Sequence, residues 1–312
     1  MSILKYVLIV PLIGISFISM AKEAVDQQLS VSDNPSVSMK IQRGNVELVS
    51  WDKNSIQVKG ELDELSQGLI FEVKGNSVIV EDKLPRSYQG SNKQGSQLTI
   101  YLPKKLGLDA EGVSASYQLS QLNGQISLAL VSGNINAQQL SGNTKLTTVS
   151  GNINTSELAG KINLETVSGD ITDNNSHGEA ELRLVSGELK SQSAFTQLSV
   201  DQVSGDITAT VSQVTELNIV TISGDAQITL GADLNKAQLE TISGDMALTF
   251  TAMPNISFMI DGGPGGKIDN QLTDDKPLKQ KYSPAKTLQF KTQAGTGQVN
   301  INTISGKISL TQ

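Results

Sequence analysis

The chain has 312 residues, of which 38% are hydrophobic, 4% are aromatic and none is cysteine. Its formal net charge of −7 disfavours a nucleic-acid partner, because affinity for a polyanion comes mostly from lysine and arginine on phosphates. A chain without cysteine forms neither a disulfide nor a thiolate metal site.

The first 21 residues predict an export signal. Lys5 supplies a positive start, residues 6–18 form an apolar run, and Ser19, Met20 and Ala21 give the small-x-small pattern of a cleavage site. The apolar run is shorter than the roughly 20 residues that a membrane-spanning helix needs. We therefore expect a signal peptide at 1–21, a mature chain in the periplasm or on the cell surface, and no transmembrane segment after cleavage.

Residues 22–112 predict a short antiparallel β segment that precedes and caps a repetitive region. They contain short β-branched runs, such as Ser77–Val80, separated by glycines. The polar stretch 87–96 predicts a mobile loop. Trp51 is the only tryptophan, and we expect it to be a packing anchor, with a ligand platform as the alternative.

From residue 113 onwards, a Val/Ile-Ser-Gly triplet returns at a nearly constant spacing. The triplet serines are Ser132, Ser150, Ser168, Ser186, Ser204, Ser223, Ser243 and Ser305, at intervals of 18, 18, 18, 18, 19, 20 and 62 residues. Self-similarity at a short fixed period is the signature of a solenoid.

Each 18-residue repeat divides into two nine-residue halves, in which apolar or small residues recur in steps of two, followed by a step of three. Steps of two keep side chains on one face of a strand, and the step of three predicts a corner. The pattern predicts an all-β, parallel β-helix-like solenoid at 113–312, with two strands per coil and stacked columns such as Ile135, Ile153 and Ile171. In this register the valine of each triplet is expected in the core, the serine outside, and the glycine where space is tight.

The repeat is irregular at two places. Within residues 173–178, Asp173 and Ser176 occupy positions where apolar residues are expected, which predicts a widened polar turn. Residues 251–294 form a non-repetitive insertion, which we expect to cover part of the terminal edge of the solenoid. A candidate binding irregularity is assigned to Asp173, Asn174, Asn175 and His177.

The residue after each Ser-Gly pair is polar and is often acidic. The acidic members are Asp170, Glu188, Asp206, Asp225 and Asp245. Stacked carboxylates repel one another unless they splay or bind cations, so this column is a candidate cation site. Calcium takes six to eight oxygens, however, and the repeat offers one acid per 18 residues, which favours solvated carboxylates over a metal site.

No group of residues predicts catalysis or a cofactor. The only histidine is His177, in a polar stretch, so none of the triplet serines has a general base at hand. The glycines of residues 262–266 lack the spacing of a phosphate-binding loop. Because parallel β-helices also support polysaccharide lyases and glycosidases, a carbohydrate-active enzyme remains an alternative.

The combined pattern resembles the bacterial putative-adhesin family of β-strand-repeat proteins and is similar to the head domains of autotransporter adhesins. The leader, the stretch from Gly44 to Asp52, the run from Leu98 to Pro103 and the repeated Val-Ser-Gly-Asp/Asn-Ile carry this resemblance. It implies a non-enzymatic envelope protein that presents a repetitive polar surface to a surface polysaccharide or to another envelope protein. An envelope-stress accessory that acts through protein contacts is a further alternative.

Overall fold

The computed structural model describes residues 23–86, 94–279 and 281–312, and in these residues the chain is all-β. The described strands number 26 and join into one continuous sheet. The predicted signal peptide at 1–21 and most of the predicted loop at 87–96 lie outside the described residues. In the described part, no helix is long and apolar enough to cross a bilayer.

The strands fall into three consecutive groups. The first seven are β1 (Ala24–Ser30), β2 (Ser36–Lys40), β3 (Arg43–Trp51), β4 (Ser55–Glu61), β5 (Leu69–Lys74), β6 (Ser77–Asp82) and β7 (Ser96–Pro103). The next thirteen are β8 (Lys105–Ser120), β9 (Asn123–Ser132), β10 (Ile135–Gln138), β11 (Ser141–Ser150), β12 (Ile153–Ser156), β13 (Ala159–Ser168), β14 (Ile171–Ser186), β15 (Leu189–Ser204), β16 (Ile207–Val211), β17 (Glu216–Ser223), β18 (Ala226–Leu230), β19 (Lys236–Ser243) and β20 (Met246–Phe250). The last six are β21 (Ile256–Asp261), β22 (Lys267–Asn270), β23 (Leu278–Lys279), β24 (Lys286–Lys291), β25 (Gly297–Ser305) and β26 (Lys307–Thr311).

Strands of successive coils pair in parallel, which confirms the predicted solenoid. Ile153 pairs with both Ile135 and Ile171, 18 residues before and after it. Each coil contributes to two rows of strands. Row A contains β10, β12, residues 171–174 of β14, residues 189–192 of β15, β16, β18 and β20. Row B contains β9, β11, β13, residues 177–186 of β14, residues 197–204 of β15, β17 and β19.

The core lies between the two rows and is made of stacked aliphatic columns. The predicted column on row A consists of buried residues, Ile135, Ile153, Ile171, Leu189 and Ile207. The facing column on row B is also buried and includes Leu146, Leu164, Leu182 and Val200. Burial of these columns is shared between neighbouring coils, so each coil depends on the next for its stability.

The triplet valines were expected in the core, and this expectation is wrong. Val131 is 53% exposed, whereas Leu130 before it is buried. Val131 and Ser132 both lie on the outside because the row B strand ends there and the chain turns at Gly133 towards row A. Counting in steps of two across this corner therefore assigns Val131 to the wrong side. The exposed column comprises Val113, Val131, Val149, Val167, Val185, Val203, Ile222, Ile242 and Ile304.

The triplet glycines lie where two corners approach closely, as expected. Gly133 has a φ of 133°, and a Cβ placed there would lie 1.9 Å from the carbonyl oxygen of Ala115 in the preceding coil. Only glycine tolerates both the left-handed conformation and the contact. The glycine column therefore determines how tightly the corners stack.

At the C-terminal end, the order of coils in space differs from their order along the chain. β25 lies between β19 and β21, and β26 lies between β20 and β22. The segment 256–291 thus covers the last coil, and β24 continues it as an antiparallel strand on β21. This placement agrees with the expectation that the insertion covers the terminal edge.

The N-terminal end is built in a similar way. β2 lies between β6 and β8, and β3 lies between β7 and β8, all in parallel. The predicted antiparallel pairing holds for β1 with β4, β4 with β7, and β5 with β6, but β2 with β6 and β3 with β7 are parallel, so this segment is mixed instead of antiparallel throughout. Because β8 runs across residue 112 and pairs on both sides, the division into 22–112 and 113–312 stays a prediction.

Candidate functional site

The acidic column lies at the corner that leads from row B to row A, and its side chains bond to the backbone of the next coil. The Oδ1 atom of Asn152 accepts a hydrogen bond from the backbone N–H of Asp170 at 2.9 Å, and Asp170 Oδ1 accepts one from the N–H of Glu188 at 2.9 Å. Each of these N–H groups partly offsets the repulsion between stacked carboxylates. The carboxylate and amide oxygens thus connect each of these corners to the next one by a hydrogen bond.

Glu188 departs from this pattern because its side chain is one methylene longer. Its Oε2 atom lies 2.5 Å from Nζ of Lys190, and this hydrogen bond raises the pKa of Lys190. The described residues contain no cluster of three or more His, Cys, Asp or Glu side chains that could hold a metal ion. Cation binding by Asp170, Glu188, Asp206, Asp225 and Asp245 stays a prediction, and all five side chains are exposed.

Within the irregularity at residues 173–178, Asp173 and Ser176 belong to a buried polar cluster. Asp173 is fully buried, and its Oδ1 atom accepts hydrogen bonds from Thr155 Oγ1 and Ser176 Oγ, each at 2.6 Å. Its Oδ2 atom accepts a third from Ser193 Oγ at 2.5 Å. Three hydroxyl donors therefore compensate for the removal of this carboxylate from water.

The widened turn that was expected here is absent from the described structure of β14. Residues 171–174 and 177–186 keep the 18-residue offset from the preceding coil, and β14 continues through the stretch. Asn175 makes the corner in the left-handed region, with a φ of 56°. The register shift occurs one coil later, between β14 and β15.

The structure separates the four residues of the candidate binding irregularity. Asp173 points into the core, Asn174 is exposed on row A, Asn175 is exposed at the corner, and His177 is exposed on row B. Of these four residues, Asn174 lines a polar groove on the outer side of the described solenoid. We call it the polar face.

The polar face is the outer side of five neighbouring strands, namely β3, residues 118–120 of β8, β10, β12 and residues 171–174 of β14. It encloses about 520 Å³, and its outward side chains are Glu47, Gln118, Ser120, Asn136, Gln138, Asn154, Ser156, Thr172 and Asn174. Alternation along each strand produces it, since Ile153 and Thr155 point inward while Asn154 and Ser156 point outward. Stacking of the coils then aligns these side chains in columns.

Most of the hydrogen-bonding capacity of this face is unused within the protein. Asn154 Nδ2 donates to Asn136 Oδ1 at 3.0 Å. The side chains of Gln118, Gln138 and Asn174 make no hydrogen bond to any other described residue. Each of these amides presents both donors and an acceptor to solvent.

An aromatic pair adjoins the polar face at its N-terminal end. The rings of Trp51 and Tyr101 stack with centroids 5.3 Å apart, and both are partly exposed. Val49 pairs with Tyr101 on one side and with Ser120 on the other, which connects the pair to the groove. Trp51 also anchors the turn to β4, because its Nε1–H donates to the carbonyl oxygen of Ser55 at 2.7 Å.

The outer side of row B carries a different chemistry. Its groove, of about 400 Å³, is lined by charges of both signs from Lys161, Glu179, Glu181, Glu216 and Lys236. The two sides of the solenoid therefore differ in charge, although both are polar. Sequence reasoning did not single out Gln118, Asn136 or Tyr101, although exposed amides at alternate strand positions are a signal that points to the polar face.

A family model described as Toastrack DUF4097 matches residues 17–261. Among curated proteins, none matches the chain. A solved structure from Bacteroides fragilis, described as a putative adhesin, is 12% identical, covers 94% of this chain and 98% of its own, and has a TM-score of 0.39. A putative lipid binding protein from Parabacteroides distasonis is 15% identical, with coverages of 72% and 96% and a TM-score of 0.39. A putative cell adhesion protein from Clostridium sporogenes is 12% identical, with coverages of 93% and 100% and a TM-score of 0.23.

Proposed function

The chain belongs to the Toastrack DUF4097 family, and we propose that it is a non-enzymatic binding protein of the bacterial envelope. In this proposal the polar face holds a surface polymer or another envelope protein. The solenoid acts as a rigid scaffold that keeps the binding side chains in columns.

The observation that carries the proposal is the set of unused amides in the groove. Gln118, Gln138 and Asn174 come from three different strands, and yet they line one groove and bond to no other described residue. These amides are therefore available to a ligand, unlike the amide of Asn152, which bonds to the next corner. A pre-formed row of free donors and acceptors is suited to an extended ligand.

The same groove supports binding over hydrolysis. Glycoside hydrolysis ordinarily uses two carboxyl groups on either side of the scissile bond. Among the described residues that line the polar face, Glu47 is the one carboxylate, and Asp173 behind the groove is buried and bonded to three hydroxyls. This arrangement favours an adhesin-like or scaffold role over the alternative of a carbohydrate-active enzyme.

Export is part of the proposal and is supported by the sequence of residues 1–21, with Lys5 before the apolar run. The proposed address is the periplasm or the cell surface. We also propose, from the sequence pattern, that the chain divides into a cap at 22–112 and a solenoid at 113–312 with an insertion at 251–294.

The test uses purified chain and envelope fragments of the cells that produce it. The first variant combines Gln118→Ala, Gln138→Ala and Asn174→Ala, which removes amides without breaking a described hydrogen bond. The matched control combines Gln125→Ala, Asn143→Ala and Gln197→Ala on row B, where the side chains are equally exposed and uncharged. We expect the first variant to lose binding and the control to keep it; equal binding by both variants would refute the role of the polar face.

A further inference from the structure

We propose that the ligand of the polar face is an uncharged glycan chain that lies across the coils, along the solenoid axis; this rests on the proposed function. The inference concerns the chemistry of the ligand, which the proposed function leaves open between a polymer and a protein. Three features of the face support it: its charge, its hydrogen-bonding groups and its aromatic end.

The charge of the groove argues against an ionic ligand. Glu47 is the one charged side chain among the described groove residues, although the chain as a whole has 55 formally charged Asp, Glu, Lys and Arg side chains, 24 of them basic. Among the described groove residues an anionic polymer would meet no cation and one repelling carboxylate, and the nearest cation described on the track is Lys53 at its aromatic end. A cationic polymer would find five acids at the corner column more attractive than a single one in the groove.

The hydrogen-bonding groups match sugar hydroxyls. A hydroxyl both donates and accepts, and so do the amides of Gln118, Asn136 and Gln138 and the hydroxyl of Ser156. These groups recur at the strand spacing of about 4.8 Å, so the five strands from β3 to β14 offer a track of roughly 19 Å. An extended polymer of hydroxyl-bearing units can therefore make the same type of contact at each coil.

The aromatic pair provides an apolar platform at one end of the track. The faces of sugar rings carry C–H groups, which pack on aromatic rings. Trp51 is occupied on one side by Tyr101 and has Lys53 Nζ 4.7 Å from its ring centroid. Tyr101 is the better contact residue, because its ring has Trp51 as its one ring neighbour among the described residues and it lies two strands from Ser120.

A protein ligand fits this face less well. The centres of protein interfaces are made of large apolar and aromatic anchors. The large exposed apolar side chains of the described chain lie elsewhere, on the triplet column and at Met259, Leu278 and Tyr282 near the C-terminal end. At the groove floor, Leu119, Ala137 and Thr155 turn their side chains into the core, so they offer no apolar anchor to a ligand.

The experiment treats envelope fragments before they are mixed with the purified chain. One portion is oxidised with periodate and quenched, which cleaves vicinal diols of sugars, and a second is digested with protease. We expect binding to survive protease, to be lost after periodate, and to change little when salt rises from about 50 to about 200 mM. Loss of binding after protease, or a steep fall of binding with salt, would overturn the inference of a glycan ligand. The proposed function would still stand if the polar-face variant loses binding and its row B control keeps it.

Two substitutions at Tyr101 test the platform on the untreated fragments. Tyr101→Phe keeps the ring and should bind within about twofold of the parent chain. Tyr101→Ala removes the ring and should weaken binding by about three- to tenfold, since an aromatic contact of this kind raises the affinity by up to about tenfold. Circular dichroism and the melting temperature establish that both variants are folded, and equal affinity of the two folded variants would contradict the glycan platform.

Discussion

The Oδ1 atom of Asp225 accepts a hydrogen bond from the backbone N–H of Asp245, 2.8 Å away in the next coil. Asp206 does the same for Asp225 at 3.0 Å, and Asp245 for Lys307 at 2.7 Å. Each aspartate of the acidic column is therefore an acceptor for the next corner, whereas Glu188 bonds to Lys190 instead. The bond to the next corner requires an oxygen at that position and does not require a charge.

Asp225 provides a direct test of this role. Asp225→Ala removes the acceptor and should lower the free energy of unfolding by about 1 kcal/mol. Asp225→Asn keeps the acceptor and relieves repulsion from Asp206 and Asp245, so it should change stability by less than about 0.5 kcal/mol or raise it slightly. Urea denaturation with a constant m-value measures both, and equal losses in the two variants would show that the charge matters instead.

The exposed triplet valines lead to a second prediction. Val185 is 46% exposed, whereas Leu182 in the same strand is fully buried. Val185→Thr keeps the β-branched shape and should cost less than about 0.5 kcal/mol, whereas Leu182→Ala should cost about 2–5 kcal/mol. A loss for Val185→Thr as large as that for Leu182→Ala would mean that the triplet valine belongs to the core after all.

The contrast between these two positions shows what the sequence reveals about the fold. Alternation along a strand is local, so the buried column through Ile135 and Ile153 could be predicted from spacing alone. The corner at Gly133 depends on a positive φ, which no periodicity records. For that reason, counting two residues back from Gly133 placed the Val131 side chain in the core, although it lies on the outside.

The ends of the solenoid and the polar face were harder to predict, because both depend on pairing between distant segments. β25 lies between β19 and β21, although β21 comes first along the chain. In the same way, Tyr101 reaches the groove only because β3 lies between β7 and β8. The amides at alternate positions were visible in the sequence, but their aromatic neighbour was not.

A third prediction concerns the close contact at the corners. Gly224 has a φ of 125°, and a Cβ there would lie 1.9 Å from the carbonyl oxygen of Gly205. Gly68 has a similar φ of 117°, but a Cβ there would meet no atom within 4 Å. The two positions therefore separate conformational strain from steric overlap.

We expect Gly68→Ala to cost about 1–2 kcal/mol, which is the typical strain of a left-handed conformation for an L-residue. Gly224→Ala should cost clearly more, about 4 kcal/mol or above, because the stacked backbones must also move apart. Thermal and urea unfolding of both variants measure the difference. Equal losses of unfolding free energy in the two variants would show that backbone strain alone, without steric overlap, requires glycine in the triplet.

The buried carboxylate of Asp173 supports the last prediction. Ser176 Oγ and Ser193 Oγ each donate to Asp173 and also accept a backbone N–H, from Leu158 at 3.1 Å and from Ser176 at 3.0 Å. Removing the carboxylate leaves buried hydroxyl hydrogens without an acceptor, so Asp173→Ala should cost about 3 kcal/mol or more. Asp173→Asn keeps the size and one acceptor oxygen and should cost about 1 kcal/mol.

Asp170 is the matched control in the same coil, because it is exposed and accepts a single bond from Glu188. Asp170→Ala should cost about 1 kcal/mol, well below the loss for Asp173→Ala. Amide hydrogen exchange at Leu158 and Ser176 gives a second measurement, since their N–H groups bond to the hydroxyls that Asp173 orients. Faster exchange at these two amides in Asp173→Ala, with unchanged exchange in Asp170→Ala, is the expected result; unchanged exchange in both would show that the hydroxyls hold the backbone without the carboxylate.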